Sequence, residues 1–161
     1  MSYSTQWVRF LQAEEAFFTC RQEVVQDETA LGHDLQQALA SIEGRETALR
    51  LLAETTLALA VVQPLLADLV ATALDSSNLT AIGLARQVLA RYKAEAQIRS
   101  TIPQLASRYL AENDEWHYRR LAELYGGLNY EEELTDLLML CQAHPNAEIR
   151  EIRANYLPTQ E

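Results

Sequence analysis

The sequence predicts a nearly all-α protein, and three observations carry that prediction. Ala, Leu, Glu, Gln and Arg, the residues that lose least on entering a helix, dominate the 161 residues. Gly (5) and Pro (4) are scarce, so few interruptions are written into the chain. Alternating β-branched runs and Asn-Gly turns are absent from it. With 48% apolar residues the chain can bury one core, so a single all-helical domain over 1–161 of about nine helices is expected.

The first helix is expected from about Thr5 to Val25, capped by Ser4 or Thr5. Trp7, Phe10, Leu11, Phe17, Phe18 and Val24 give it a broad apolar stripe. Such a stripe at 1–26 reads as a lid on the end of a core, with a dimer or partner helix as the alternative. Asp27 caps a second helix whose inner face is Leu31, Leu35, Ala38, Leu39 and Ile42. Gly44 sits where a left-handed C-terminal residue is wanted. The third helix, "RETALRLLAETTLALAVV", is apolar nearly all round and is expected to be the most buried.

Pro64 fits the first position of a fourth helix, which ends at "DSSN". A fifth helix spans about Leu79 to Tyr92. A sixth, from about Glu95 to Glu112, is kinked or restarted by Pro103. The seventh runs from about Trp116 to Tyr125 and stops at Gly126-Gly127. The eighth is "YEEELTDLLMLCQA", its three acids favoured by the helix dipole. The ninth lies in "HPNAEIREIRANYL".

Three of these segments have a common layout. "LLADLVATALDSSNLTAIGLARQVL", "QLASRYLAENDEWHYRRLAELY" and "LTDLLMLCQAHPNAEIREIRANYL" each hold a Leu-rich helix, a short polar turn and a second amphipathic helix. Asp75 and Asp114 fall at matching points, as do Pro64 and Pro103, so the period is on the order of 40 residues. The pattern resembles HEAT or HEAT-like repeats over residues 63–157, most closely in "HPNAEIREIRANYL". The resemblance implies stacked antiparallel helical hairpins, an α-solenoid, where composition alone permits an irregular helical bundle. It also implies that Arg150 and Arg119 brace a turn and the neighbouring repeat. The first unit departs, because Gly83 follows Ile82. Residues 27–62 would form a degenerate helix pair, and the tail "PTQE" would close the far end.

Little in the chain suggests catalysis. His33, His117 and His144 are widely spaced and form no HExxH or HxxxH motif. There is no phosphate loop, GxSxG or GxGxxG, and no ExxH pair of the kind a diiron bundle needs. No catalytic residue, metal ligand or cofactor is assigned, and the expected reading is not an enzyme. Cys20 and Cys141 lie in apolar helical patterns and read as buried free thiols. The chain opens without a basic-then-apolar leader. Its most apolar stretch is broken by Gln63, Pro64 and Asp68. A cytoplasmic protein with no membrane segment is expected.

Charge points to the partner. The net charge of −10 repels phosphate backbones, so nucleic acid is disfavoured and a basic protein is the better match. Arg makes up all the basic residues except Lys93. Trp116 and Tyr118 stand beside Arg119 and Arg120, and Trp, Tyr and Arg are the favoured anchors of protein interfaces. The candidate binding residues are therefore Trp116, Tyr118, Arg119, Arg120, Arg150 and Arg153. The function expected is a non-catalytic protein–protein interaction module, a small acidic binder or inhibitor such as an immunity protein or antitoxin. The alternatives are a subunit docking through its first helix and a nucleic-acid-binding solenoid; a homodimer is also compatible.

Overall fold

The computed structural model describes residues 3–156, and helices α1 (Thr5–Gln26) and α2 (Glu28–Ala40) open the chain. The oxygens of Ser4 and Asp27 accept from the third amide of their helices, Trp7 N and Ala30 N, satisfying donors that a helix start leaves open. Next come α3 (Arg45–Glu54), the four-residue α4 (Leu59–Val62) and a 3-10 turn, Gln63–Leu65, that leads into α5 (Leu66–Asp75). The rest are α6 (Leu79–Arg91), α7 (Ala96–Leu110), α8 (Glu115–Leu128), α9 (Glu131–Ala143) and α10 (Ala147–Ala154). Nine helices of eight residues or more, and no strand, are found among the described residues. The tail "PTQE" lies outside them.

From α2 onward the helices pack as hairpins, α2 on α3, α5 on α6, α7 on α8 and α9 on α10. The second helices then stack in sequence, α3 on α6, α6 on α8 and α8 on α10. Among the first helices α5 packs on α7, and Arg99 of α7 pairs with Glu133 of α9 at 3.0 Å. The starts of the second helices lie at Gly44, Asn78, Asp114 and Asn146, at intervals of 34, 36 and 32 residues. This spacing corrects the register inferred from Asp75 and Asp114. Asp75 ends α5, whereas Asp114 caps α8, and the true counterpart of Asp114 is Asn78.

One continuous core threads the hairpins, with Leu31, Leu52, Leu69, Leu89, Ile102, Leu121 and Ile152 almost wholly buried. Burial also governs Tyr125 of α8, which is 5% exposed. Its hydroxyl is pushed up to about 12, first by burial and then by the nearby Glu133 and Tyr130. The folded value lies above the ordinary value of 10, so the unfolded chain releases this proton first. The contribution is complete below pH 10 and is lost as pH rises toward 12. Urea unfolding between pH 9 and 12 is expected to show this fall, and Tyr125→Phe to flatten it; an equal slope in both proteins would refute the assignment.

Arginine side chains close the helix ends. The last carbonyls of a helix have no partner within it and sit at the negative end of its dipole. Arg45 donates to Leu39 O at 2.8 Å, at the end of α2. Arg91 donates to Ala53 O, at the end of α3, and to Thr56 Oγ1 at 3.0 Å. Arg120 donates to Leu74 O at 2.9 Å, at the end of α5. Arg150 donates to His144 O at 2.8 Å and Pro145 O at 2.7 Å, just past α9. A planar guanidinium offers several donors in a fixed fork, which an ammonium does not. This accounts for the preference for Arg.

Several expectations are corrected. The third predicted helix is two, because the chain is extended at Thr55 and resumes helix only at Leu59. The Tyr92 hydroxyl holds that break, accepting from Leu57 N at 2.9 Å and donating to Leu57 O at 3.0 Å. Gly44 is not left-handed; its φ is −85°. Glycine is needed there because a Cβ would lie 2.8 Å from Ser41 Oγ and 3.1 Å from Ala38 Cα. Pro64 is the second residue of the 3-10 turn rather than the first of α5, and α7 runs unbroken through Pro103. α8 passes Gly126-Gly127 and ends at Asn129, which takes the left-handed conformation at φ 57°. Cys20 is exposed, and only Cys141 is buried. The largest departure is α1, none of whose residues is buried. It packs on α2 and is tied to the end of α3 by Arg21, which pairs with Glu54 and reaches Thr55 Oγ1 at 2.7 Å. Of its residues only Val25 packs, partly buried, against the core, and its apolar stripe faces outward.

Candidate functional site

The turn between α5 and α6 and the turn between α7 and α8 lie side by side at one edge of the stack. Between them is a shallow cleft of roughly 280 Å3, lined by Asp75, Ser76, Ser77, Asp114, Trp116, His117 and Arg120. Asp114 uses its carboxylate as a cap, accepting from Trp116 N at 2.8 Å. That cap fixes the first turn of α8 and holds Trp116 outward, 60% exposed. The guanidinium groups of Arg119 and Arg120 each sit 6.0 Å from the centre of its ring.

His117 forms the floor. It is 6% exposed, and its ring stands edge-on to Tyr109 at 5.0 Å. Its Nε2 lies 3.3 Å from Asp75 Oδ1, and its Nδ1 lies 3.4 Å from Glu112 Oε2 without forming a hydrogen bond. Asp75 and Glu112 keep most of their surface in solvent, at 66% and 58% of the side chain. The rim thus combines an exposed indole with the outward carboxylate of Asp75. An aromatic face and a carboxylate both attract a cation. The Trp116 face is shared with Arg119 and Arg120, so carboxylate and indole, rather than the indole alone, define the site.

Of the six residues singled out in the sequence, the structure gathers Trp116, Arg119 and Arg120. Arg119 is held by Glu115 one turn earlier, and that bond is the leading cause of its raised basicity. Among the described residues it makes no hydrogen bond to a neighbouring hairpin, although Glu151 of α10 lies near enough to add to that shift. Arg120 makes such a bond instead, to Leu74 O, so the expectation for Arg119 is displaced by one residue. Tyr118 faces the other way and is 5% exposed. Its hydroxyl donates to Leu110 O at 3.3 Å, and its ring packs on His144 at 5.3 Å. Burial, and then Cys141, hold that hydroxyl above its ordinary range. Arg150 clamps its own turn as expected, and Arg153 is half-buried on α10; neither reaches the cleft.

Asp75 and His117 were missed because their meeting depends on adjacent hairpins. Their sequence separation of 42 residues exceeds the repeat interval, because Asp75 ends a first helix and His117 opens the second helix of the next hairpin. Among the described residues, no group of three or more His, Cys, Asp or Glu side chains is placed to hold a metal ion. Within the same residues, no helix is long and apolar enough to cross a membrane. No family model matches the chain, and neither a curated protein nor a solved structure matches it.

Proposed function

We propose that the protein is a non-catalytic protein-binding module that takes a basic segment of its partner at the Trp116 edge. The observation that carries this reading is the exposure of Trp116 in a cleft whose rim carries the outward carboxylate of Asp75. Exposed indoles at a rigid helix start are the anchors on which interface energy concentrates. The net charge of −10 favours the approach of a cationic partner. The HEAT-like repeat reading belongs to the same proposal and is supported by the hairpin stacking and by Arg150 on its turn. So do a cytoplasmic location and an inhibitor's role of the immunity or antitoxin kind, which a preformed acidic surface suits.

The non-catalytic reading is supported by how the three histidines are used. His33 bonds Gln37 at 2.8 Å, His117 lies between two carboxylates, and His144 bonds Asn113 at 3.1 Å and accepts from Asn146 N. Affinity capture from the native lysate at two salt concentrations tests the proposal, with Trp116→Ala and Asp75→Asn as controls. Neither change removes a cap or a buried side chain, so the melting temperature should stay within a few degrees. A protein is expected to be retained by the wild type and bound at least tenfold more weakly by Trp116→Ala. Retention unaffected by both variants, or capture of salt-labile nucleic acid alone, would overturn it.

A further inference from the structure

We infer that α1 is a self-association element, and that its occupant is α1 of a second copy of this chain. The inference is independent of the Trp116 edge. α1 has 22 residues and buries none of them. Tyr3, just before the Ser4 cap, and Trp7, Phe10, Phe17 and Val24 along the helix fall at the alternating spacings of three and four that make a helix–helix seam, interrupted by Glu14 and by Arg21, which Glu54 holds. Their exposures run from 46% to 73%, and Val8, Leu11 and Phe18 add a further 40–51% each. At roughly 150–250 Å2 for a whole aromatic side chain, this exposed surface is on the order of 700 Å2 per chain. A standard interface buries about 600–1,000 Å2 of each partner, and the exposed apolar surface at α1 falls in that range.

Self-complementarity selects a second copy. The C-terminal half of α1 forms one wall of a groove of roughly 430 Å3, lined by Phe17, Cys20 and Val24 on α1 and by Thr47, Leu51 and Glu54 on α3. The N-terminal half carries the protruding Trp7 and Phe10. Knob and hole on one helix, at opposite ends, are both satisfied by a two-fold axis. With that axis near Phe17 and Phe18, antiparallel pairing sets Phe10 of one copy against Val24 of the other. α1 also holds two arginines against three glutamates, so it is close to neutral in a chain of charge −10. It is therefore a surface on which two acidic copies meet with little repulsion. A membrane surface fits it poorly, because an interfacial helix carries a basic polar face and this one holds Glu15 and Glu23 with Arg9.

The test uses the whole protein. Light scattering on the wild type is expected to give a mass near twice the 18.2 kDa of one chain. Phe10→Glu/Phe17→Glu, which touches no buried residue, is expected to be monomeric with unchanged helical circular dichroism. Its dissociation constant should rise at least a hundredfold. Cys20 is exposed and Cys141 buried, so a nitroxide can be placed on Cys20 without substitution. A rise of 1.5 Å per residue and helix axes 8–10 Å apart put the two Cys20 Cα atoms roughly 10–15 Å apart, close enough for dipolar broadening. A wild type that stays monomeric at its highest soluble concentration overturns the inference. So does a dimer that survives the double variant, or one without broadening. Monomeric wild type that sediments with phosphatidylcholine–phosphatidylserine vesicles overturns it in favour of a membrane surface. Should the double variant lose helix, the broadening decides: its presence upholds the pairing and its absence refutes it.

Discussion

Leu69→Ala is expected to destabilise the fold by about 3 kcal/mol, the typical cost of emptying a Leu-sized volume in a rigid core. Leu69 lies on α5, which packs on α6, α7 and α8, and it is wholly buried. No single helix can relax into the space, because three neighbours hold α5 in place. For a chain of this length the loss corresponds to a fall in melting temperature of roughly 6–12 °C. Calorimetry measures it directly. Leu11→Ala on α1 is the comparison, since Leu11 is 40% exposed and its removal should change monomer stability by no more than about 0.5 kcal/mol. Equal effects at the two positions would mean that the core is not centred on α5.

Tyr92→Phe is the second large expected effect, and it removes only one oxygen. The Tyr92 hydroxyl bonds both the N–H and the C=O of Leu57, in a buried site between α3 and α4. Phenylalanine fills the same volume, so packing is kept and two backbone groups lose their partner. A buried polar group without a partner costs about 1–3 kcal/mol, so a loss of roughly 2–3 kcal/mol is expected for the pair. Denaturant unfolding should show a lower midpoint with an unchanged slope. Hydrogen exchange at the Leu57 amide should accelerate by more than at amides in the middle of α5. A neutral substitution would mean that Leu57 has another source of hydrogen bonds.

The same residues explain what the sequence could and could not reveal. Helix identity and most helix starts were legible because they rest on neighbours. Asp27, Asn78, Asp114 and Asn146 each cap a helix from two or three residues away. The break after Glu54 was not legible, because Tyr92 and Arg91 hold it from more than 30 residues away. Local propensity favours continuing the helix there, and tertiary hydrogen bonds override it. Gly126-Gly127 looked like a stop, yet Asn129 in the left-handed conformation ends the helix two residues later. In the candidate site, Trp116, Arg119 and Arg120 were legible because one helix turn carries them. Tyr118 on that turn is buried, since a residue's side of a helix is set by what packs there. The stripe on α1 was read as apolar, as a lid or as a partner helix, and its large side chains are exposed while only Val25 packs on the core; pattern reports which side is apolar and is silent on what faces it.

The arginine clamps also determine how this chain meets post-translational chemistry. Arg45, Arg91, Arg120 and Arg150 close helix ends with a group that stays charged across the biological pH range and is not a target for acylation. Lysine-directed acetylation or ubiquitination finds one side-chain amine, that of Lys93. Lys93 lies just after α6, and its own carbonyl accepts the Tyr130 hydroxyl at 3.1 Å. The arginine clamps themselves are therefore blind to acyl transfer. Any such mark on a lysine would be written at one address, between the second hairpin and the third.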